Sequence, residues 1–455
     1  MSAAPVSGKA ALDEFLRIGW ASPLNQASAI GRVSVHVADA LIDRGHQVRL
    51  IATEHAPLRD EPRHPAKAPC VHWSQVDLDQ LSEDYDIVVV NIGDNFNYHA
   101  GIFPLLDNVG CLGIFHDFYL YNLFCGWLED SSRSRTAGWR RAHHLSAITD
   151  TYGPPLAGLA AQAEAGTLAL ETIAARIPMT EWVARRCAGG LVHAGFYLDR
   201  LAAVCAGPLA VAPLPVTGRD VAPLEPRAQG AKVTVLTVGV MNANKCAAEV
   251  IAAIGGSRIL ADRVSYRLVG PIEPAEAERL RALAGSLGYA GLSILGPVDD
   301  AALKTHLEAS DIICCLRRPV LEGASGSAIE GLLAGRPVIV ADAGFYGELP
   351  DDIVFKVAGD VDPSRLAAQI EWLCDNAALR RTAGAKARAW AEEHFSVVAY
   401  LEVLEPLLWA TIAAEPVLAV GRRLGAELAQ LELPSDDPTV SRIEADLASL
   451  FASGR

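Results

Sequence analysis

Twelve short apolar segments, most of them rich in β-branched residues, alternate with longer helical patterns along the chain. They are 16–22, 47–53, 85–93, 111–117, 190–195 and 209–215 in the first half, and 233–239, 265–270, 292–296, 311–317, 337–342 and 352–357 in the second. Continuous apolar runs bounded by glycine, aspartate or proline are typical of strands buried on both faces of a parallel sheet. Their alternation with helices predicts two doubly wound α/β domains that face a cleft.

The chain divides at a stretch rich in proline and glycine, 214–232, which lacks helical or strand periodicity. The predicted organisation is an N-terminal domain (1–215) with a helical insertion (about 128–189), a linker (216–232), a C-terminal domain (233–395) and C-terminal helices (396–455). The amphipathic pattern continues beyond the second domain, and we expect part of this extension to pack back on the N-terminal domain. The sequence does not indicate the role of residues 415–455.

The composition is that of a helix-rich enzyme in a reducing compartment. Apolar residues make up 51% of the 455 residues, and a net charge of −15 argues against nucleic-acid binding. Nine cysteines without metal spacing, and no signal-peptide pattern, favour the cytoplasm, including the inner face of its membrane. No apolar run reaches about 18 residues without charges or helix breakers, so we expect no transmembrane helix.

One basic patch interrupts this acidic composition, in the segment SSRSRTAGWRRAHH (131–144). Charge runs of this kind are usually a solvated helical face. The alternative is a surface that contacts an anionic acceptor or a membrane, which would make the protein a peripheral membrane protein. The sequence does not indicate an oligomeric state.

The segment LEGASGSAIE (321–330) follows one of the apolar runs and is crowded with small residues. Ser325 is a good N-cap and Gly335 a good C-terminal residue, which predicts a helix between them. Free backbone N–H groups at its start would form an anion site suited to a diphosphate. The residues expected to approach the ligand are Gly323, Ala324, Ser325, Gly326 and Ser327.

Two carboxylates flank this loop, Glu322 just before the helix and Glu330 inside it. Carboxylates accept paired hydroxyl groups well, so a sugar and a ribose are their expected partners. The alternative is a tight strand-to-helix turn with a capping serine and no ligand.

A cation for the diphosphate is expected from the loop after segment 233–239. There, VGVMNANK places Asn244 and Lys245 at the carboxyl end of that strand, with Lys245 opening the next helix. A lysine at a helix start is unfavourable against the helix dipole, which favours a ligand role over an exposed lysine. Arg317 is a second candidate cation, and Val298 lies in the loop expected to contact the nucleotide base.

In the first domain, His116 and Asp117 stand at the end of segment 111–117, where a catalytic residue would lie. The alternative is a histidine that packs or caps. Tyr119 follows on the same side, and Gly31 and Arg32, after the first segment, mark where a second substrate could dock.

These motifs together resemble retaining glycosyltransferases of the two-Rossmann-domain (GT-B) fold, specifically family 4 and its bacterial surface-polysaccharide branch. The resemblance rests on Glu322 and Glu330, eight positions apart with seven residues between them, followed by AGRPVIVAD, and on VGVMNANK, RGHQVRLIATE, FHDFYLYNLF and AGFYGELPDDIVFKV. It covers residues from about 15 to 395.

What the resemblance implies is transfer of a sugar from a nucleotide diphosphate sugar, with retention, to a glycan or polyprenyl-lipid-linked acceptor in cell-envelope polysaccharide synthesis. Lys245 and the loop amides would stabilise the leaving diphosphate, Glu330 would bind ribose, and Glu322 and His116 the donor sugar. Gly31, Arg32, Asp117 and Tyr119 would lie on the acceptor side. No cofactor beyond the donor substrate and no metal is expected. The Asp77–Leu78–Asp79 triplet has the Asp-x-Asp spacing of metal-dependent transferases, but it lies in a variable polar stretch, and we do not expect it to bind a metal.

Three positions depart from the family pattern: Val240 where an arginine is common, Ser28–Gly31 without the usual glycine pair, and Glu322 one residue early. The alternatives are a sugar-nucleotide epimerase or phosphorylase of the same fold, or a non-catalytic partner in polysaccharide assembly.

Overall fold

The computed structural model describes residues 15–130, 136–225, 230–430, 437–443 and 445. The start of the N-terminal domain, part of the basic patch, part of the linker and most of the chain beyond 430 therefore lie outside the described residues. The described chain forms two parallel sheets, each flanked by helices.

The N-terminal sheet has seven strands in the order β3-β2-β1-β4-β5-β6-β7. They are β1 (Arg17–Ser22), β2 (Gln47–Ala52), β3 (Cys70–His72), β4 (Ile87–Ile92), β5 (Cys111–Phe115), β6 (Gly189–Val192) and β7 (Leu209–Val211). All neighbouring strands are parallel, and the chain order reverses beside β1. That reversal is the switch point at which ligands of such sheets bind.

The C-terminal sheet has six parallel strands in the order β10-β9-β8-β11-β12-β13. They are β8 (Val233–Val238), β9 (Val264–Val269), β10 (Leu292–Ile294), β11 (Ile312–Cys315), β12 (Val338–Asp342) and β13 (Phe355–Ala358). The switch point lies between β8 and β11, which carry the lysine and carboxylate motifs.

The helices surround both sheets. Those of the N-terminal half are α1 (Ala29–Asp43), α2 (Leu81–Asp84), α3 (Phe96–His99), α4 (Ile102–Leu106), α5 (Tyr121–Glu129), α6 (Ala137–Tyr152), α7 (Ala157–Glu164), α8 (Leu170–Arg176), α9 (Thr180–Ala184) and α10 (Leu198–Ala202). Those of the C-terminal half are α11 (Ala247–Gly255), α12 (Arg258–Arg263), α13 (Pro274–Ser286), α14 (Asp300–Glu308), α15 (Gly326–Leu333), α16 (Gly344–Glu348), α17 (Pro363–Asp375), α18 (Ala377–His394) and α19 (Val397–Gln430).

The predicted fold class is confirmed, and each of the twelve apolar segments contains a strand. The strand that the pattern missed is β3, which has three residues at the sheet edge and buries only His72. An edge strand this short carries too little apolar periodicity to be recognised.

Helix α19 returns from the C-terminal domain to the N-terminal one. Its residues Tyr400, Leu404 and Leu408 are buried in one apolar cluster with the residues of β1 and α1. Arg44, at the end of α1, donates hydrogen bonds to Glu402 and Glu405 of α19. The extension therefore ties the two halves of the chain together.

Among the described residues, one helical stretch, Ala377–Gly425, has the length and composition that could span a membrane, and 33% of its most apolar window is buried in the protein. Core helices of soluble proteins pass the same criterion. The sequence criterion did not select this stretch because it asked for an apolar run without charges or helix breakers. The stretch contains Pro406 and Pro416.

Candidate active site

The strand ends of the two domains meet directly across the cleft. The N–H of Gly323 donates to the His116 carbonyl at 2.8 Å, and the N–H groups of Phe118 and Tyr119 donate to the Leu321 carbonyl at 2.9 Å. The loop after β5 and the loop after β11 thus form one hydrogen-bonded unit. It brings the two halves of the predicted site together.

The start of α15 presents free backbone donors. Ser325 caps the helix by accepting from the N–H of Ala328, and Gly335 beyond its end has a φ of 68°, as the predicted helix requires. In the described structure, no protein acceptor is paired with the N–H groups of residues 324–327. Aligned free N–H groups at a helix N-terminus favour an anion.

Two glycines of this loop have different reasons to be small. A Cβ on Gly323 would lie 2.3 Å from the Tyr197 hydroxyl and 3.0 Å from the His116 carbonyl, whereas one on Gly326 would meet nothing within 4 Å. Gly323 is therefore required by the contact between the domains. Gly326 leaves open space in front of the helix.

We expect Gly323→Ala to destabilise the protein by about 1–3 kcal/mol, because the added methyl overpacks the contact. Gly326→Ala should leave the melting temperature unchanged or raise it, but should weaken nucleotide binding if the ligand approaches this backbone. Calorimetry and nucleotide titration of the two variants measure both effects. Equal stability of the two variants would contradict the distinction.

Glu322 is held by two groups of its own domain. The Arg317 Nε lies 2.8 Å from the Glu322 carboxylate, and the Tyr346 hydroxyl donates to the same oxygen. Burial raises the pKa of Glu322, but Arg317, Tyr346 and Lys245 more than offset it, so the pKa lies below its ordinary value. Glu322 is therefore an ionised and oriented carboxylate. Arg317 also lies 3.4 Å from the Ser327 Oγ at the start of α15, so it stays a second candidate cation for a diphosphate.

Lys245 lies at the carboxyl end of β8, in a short 3₁₀ turn, Ala243–Lys245. The predicted helix begins two residues later, because Cys246 takes a left-handed conformation with φ 55°. The Nζ donates to the Val238 carbonyl at 3.1 Å and lies over Gly239. Burial and the nearby Arg317 lower the Lys245 pKa to about 8, although Glu322 acts in the opposite direction.

Asn244, next to Lys245, is 7% exposed. Its backbone carbonyl accepts from the N–H of Arg318 at 2.8 Å. Its side-chain Oδ1 has no hydrogen-bond partner in the part of the chain that the structure describes. A buried acceptor without a partner is costly and marks a place where a ligand can bind.

Glu330 pairs with an arginine that the sequence analysis did not select. Arg219, in the segment between the domains, contacts Glu330 and also lies 2.8 Å from Asp300. Asp300 is in turn 3.4 Å from Arg32 of the N-terminal domain. The chain of charges crosses the cleft, and Arg219 occupies the carboxylate that was expected to bind ribose.

A cavity of about 910 Å³ opens beside this unit, on the N-terminal side of the cleft. Asp94, Asp117 and Asn122 line it from the N-terminal domain, and Val240 and Asn242 from the C-terminal one. Burial and the Glu322 charge raise the Asp117 pKa to about 7, even though the N–H of Asp94 donates to its carboxylate. Carboxylate and amide side chains around an open volume can bind a polyhydroxylated ligand.

His116 turns its ring away from the cleft. Its Nε2 lies 2.9 Å from the Asn91 Oδ1, and its Nδ1 lies 3.2 Å from the His193 Nε2. The part of His116 that faces the other domain is its carbonyl, which holds Gly323. Neither Asn91 nor His193 was selected from the sequence.

The remaining predicted residues have varied surroundings. Gly31 is buried in α1, where a Cβ would lie 2.4 Å from the Pro23 carbonyl, and Tyr119 is 3% exposed. Val298 packs against the apolar core. Asp77 caps a short helix by accepting from the N–H of Asp79. Within the described residues, no group of three or more histidine, cysteine or acidic side chains could hold a metal ion.

The site residues that the sequence patterns did not reveal are of two kinds. Tyr346 lies within the quoted motif AGFYGE, so its position was visible although its role was not. Arg219, Asn91 and His193 contact partners 111, 25 and 77 positions away in the chain. No local pattern reveals contacts at such separations.

Comparisons with known proteins concern the C-terminal half of the chain and the fold. Residues 223–390, which include Lys245, Glu322 and Glu330, match the family model described as Glycosyl transferases group 1. No curated protein sequence matches the chain.

Among solved structures, a sucrose-phosphate synthase from Thermosynechococcus elongatus is similar, with a TM-score of 0.55 at 16% identity, over 90% of this chain and 99% of that one. HepE of Anabaena, solved with UDP and glucose, has a TM-score of 0.55 at 15% identity, over 85% and 97% of the two chains. WaaG, a glycosyltransferase involved in lipopolysaccharide biosynthesis, has a TM-score of 0.53 at 14% identity, over 84% and 96%. The fold is that of GT-B glycosyltransferases.

Proposed function

We propose that this protein is a retaining glycosyltransferase that moves a sugar from a nucleotide diphosphate sugar to a glycan or lipid-linked acceptor in cell-envelope polysaccharide synthesis. The observation that carries the proposal is the set of free amides at the start of α15, with Lys245 and Glu322 beside them. The family match over residues 223–390 and the UDP-glucose-bound HepE structure support a nucleotide sugar as donor.

The donor diphosphate binds at the amides of residues 324–327, with Lys245 as its cation. Negative charge on the leaving diphosphate grows in the transition state, so these fixed donors lower the barrier. Glu322, oriented by Arg317 and Tyr346, accepts hydrogen bonds from the donor sugar. Glu330 binds the ribose, which requires Arg219 to share this carboxylate or leave it.

Transfer proceeds with retention by attack on the same face of the donor sugar, and the leaving phosphate oxygen takes the acceptor proton. Glu322 supports this reading because it is committed to Arg317 and Tyr346 and is not a free nucleophile. The amides and Lys245 take the role that a divalent ion plays in metal-dependent transferases, so the reaction needs no metal.

The acceptor lies in the cavity lined by Asp94, Asp117 and Asn122. The cavity is also lined by Val240 and Asn242, in the loop that carries Lys245, which supports an acceptor hydroxyl near the proposed phosphate site. WaaG acts in lipopolysaccharide biosynthesis, which supports an envelope glycan as the acceptor class. We also propose that the protein acts in the cytoplasm, where nucleotide sugars serve as donors, and that it contacts the membrane peripherally.

A thermal-shift panel tests the donor site. We expect one of UDP, GDP, ADP, CMP and dTDP to raise the melting temperature most, because a ligand that binds only the folded state stabilises it. At 100 times the dissociation constant the gain is about 2.7 kcal/mol. No shift with any of the five at millimolar concentration would contradict a nucleotide diphosphate site.

A same-fold epimerase is the second candidate, because the structure places two carboxylates and a histidine together. Asp117 and Glu322 are paired through their backbones, and His116 is adjacent. We expect radiolabelled nucleotide sugar without acceptor to stay unconverted over many hours, apart from slow hydrolysis. Formation of an epimeric nucleotide sugar in this incubation would favour the epimerase instead.

A further inference from the structure

A row of hydrogen bonds crosses the carboxyl edge of the N-terminal sheet. The Ala21 carbonyl of β1 accepts from the Asn91 Nδ2 of β4 at 3.1 Å, and the Asn91 Oδ1 lies 2.9 Å from the His116 Nε2. The His116 Nδ1 lies 3.2 Å from the His193 Nε2, and the His193 Nδ1 lies 3.0 Å from the Ala212 carbonyl. The row spans five neighbouring strands, from β1 to β7.

The two ends of this row determine where its protons are. Backbone carbonyls only accept, so the Asn91 amide nitrogen must face Ala21 and its oxygen must face His116. The His116 Nε2 therefore carries a proton, and so does the His193 Nδ1 that faces Ala212. A neutral imidazole has a single N–H group. In a neutral His116 that group donates to Asn91, and in a neutral His193 it donates to Ala212.

What remains is the contact between the two rings. If both are neutral, the His116 Nδ1 and the His193 Nε2 face each other at 3.2 Å with a lone pair each. All four bonds of the row are made only when a third proton lies between these nitrogens. Two imidazoles that hold three protons carry one positive charge.

We propose that His116 and His193 share one proton, and that His193 is the positioning residue that fixes His116 and thereby the contact of its carbonyl with Gly323. The charge is buried, since His116 is 7% and His193 3% exposed. The pair titrates as a unit, so a pKa belongs to both rings together.

The groups around the pair act in both directions. Burial lowers the pKa of both rings, and the charges of His193 and of His99 on α3 lower that of His116 further, whereas the bond to the Ala212 carbonyl raises that of His193. The acidic groups at the same edge are Glu322, whose pKa is lowered by Arg317, and Asp94 and Asp117, whose pKa values are raised by burial. Tyr197 and Tyr400 pack against His193, and Glu348 accepts from the N–H of Gly195 beyond it. We assign the pair its charge because only the charged state makes every bond of the row.

Nitrogen NMR of the full chain with ¹⁵N-labelled histidine tests the shared proton without any substrate. Signals are assigned by their loss in His116→Gln and His193→Gln. At pH 7 we expect a protonated shift for the His116 Nε2 and the His193 Nδ1, and a shift intermediate between protonated and unprotonated nitrogen for the two facing atoms. A wild-type spectrum in which no histidine nitrogen has an intermediate shift would overturn the proposal, and this result needs no assignment from the variants.

The variants separate the pair from its surroundings. In His193→Gln a neutral amide can donate to His116, so we expect His116 to become a neutral ring with its proton on Nε2 across pH 6–8. His99→Gln is the matched control, because His99 is equally buried and bonds to the Asn91 backbone but is not in the row. Burial lowers the His99 pKa to about 4, so His99 is neutral at pH 7 and its removal should leave the protonation of both rings unchanged. A change equal to that in His193→Gln would contradict the assignment.

The positioning role of His193 rests on the proposed function and is tested separately, by donor kinetics. We expect His193→Gln to raise the KM for the nucleotide sugar several-fold more than it lowers kcat, and to remove a pH dependence of the donor KM that the wild type and His99→Gln share. If the NMR spectrum shows a shared proton but no sugar transfer is detected, the proposed function is refuted and the shared-proton proposal stands. Transfer with identical pH profiles in all three proteins would refute the positioning role.

Discussion

Replacing Lys245 by alanine should lower kcat for sugar transfer about 10²-fold. The Nζ is a buried cation within electrostatic reach of Glu322, which precedes the free amides of α15, and charge on the leaving diphosphate would lose its partner. Steady-state kinetics with the donor identified in the thermal-shift panel measures the effect. Unchanged turnover would show that the leaving group binds elsewhere, and would leave a non-catalytic role in polysaccharide assembly to be considered.

The pH dependence of nucleotide binding supplies a second measure of the same residue. The Lys245 pKa is about 8 in the free protein, so its charge is present at pH 7 and is lost as the pH rises through 8. Affinity for the nucleotide diphosphate should therefore fall above pH 8 in the wild type but not in Lys245→Ala. Lys304→Ala is the control, because this lysine lies on α14 with its side chain 40% exposed.

Replacing Glu322 by glutamine should lower both stability and activity. The substitution leaves the Arg317 guanidinium, 6% exposed, without its carboxylate, and breaking a buried pair in this way costs about 3–5 kcal/mol. Loss of a charge-assisted hydrogen bond to the donor sugar should lower kcat/KM about 10- to 100-fold. Chemical denaturation and donor kinetics measure the two losses.

The pH dependence of the stability loss follows from the Glu322 pKa. In the folded protein it lies below the ordinary value of 4.5, so its contribution is present above about pH 4.5 and disappears as the pH falls through the folded pKa. The difference in unfolding free energy between wild type and Glu322→Gln should shrink accordingly in acid.

A double variant separates the two effects of Glu322. Arg317→Met with Glu322→Gln removes both buried charges, so stability should recover while activity stays low. Recovery of activity together with stability would mean that Glu322 serves only to hold Arg317. A single Glu322→Gln variant with wild-type stability would contradict the buried pair itself.

Sequence patterns were sufficient for the fold because each strand is recognised from its own residues. The apolar runs of β4 and β12 are complete within five or six positions, and the helix from Gly326 to Leu333 is marked at both ends by Ser325 and Gly335. The same holds for the small residues 323–327 before and at the start of that helix. These features depend on neighbours in the chain, and local chemistry determines them.

The side chains of the site are a different matter. The sequence placed His116 toward the donor sugar and Glu330 toward ribose, but the ring of His116 is turned to Asn91 and His193, and Glu330 is paired with Arg219. Asn91 lies in β4, His193 directly follows β6, and Arg219 lies in the linker between the domains. Which way a side chain turns is decided by what the sheet order brings beside it.

By itself, then, the sequence determined two parallel sheets, the helix with free amides, and the lysine and carboxylates at strand ends. Only the tertiary structure decided that Arg317 and Tyr346 orient Glu322, that the His116 carbonyl holds Gly323 across the cleft, and that two histidines face each other in a buried row. The physical reason is that parallel strands align their carboxyl ends whatever their distance along the chain, so the partners at that edge are set by topology.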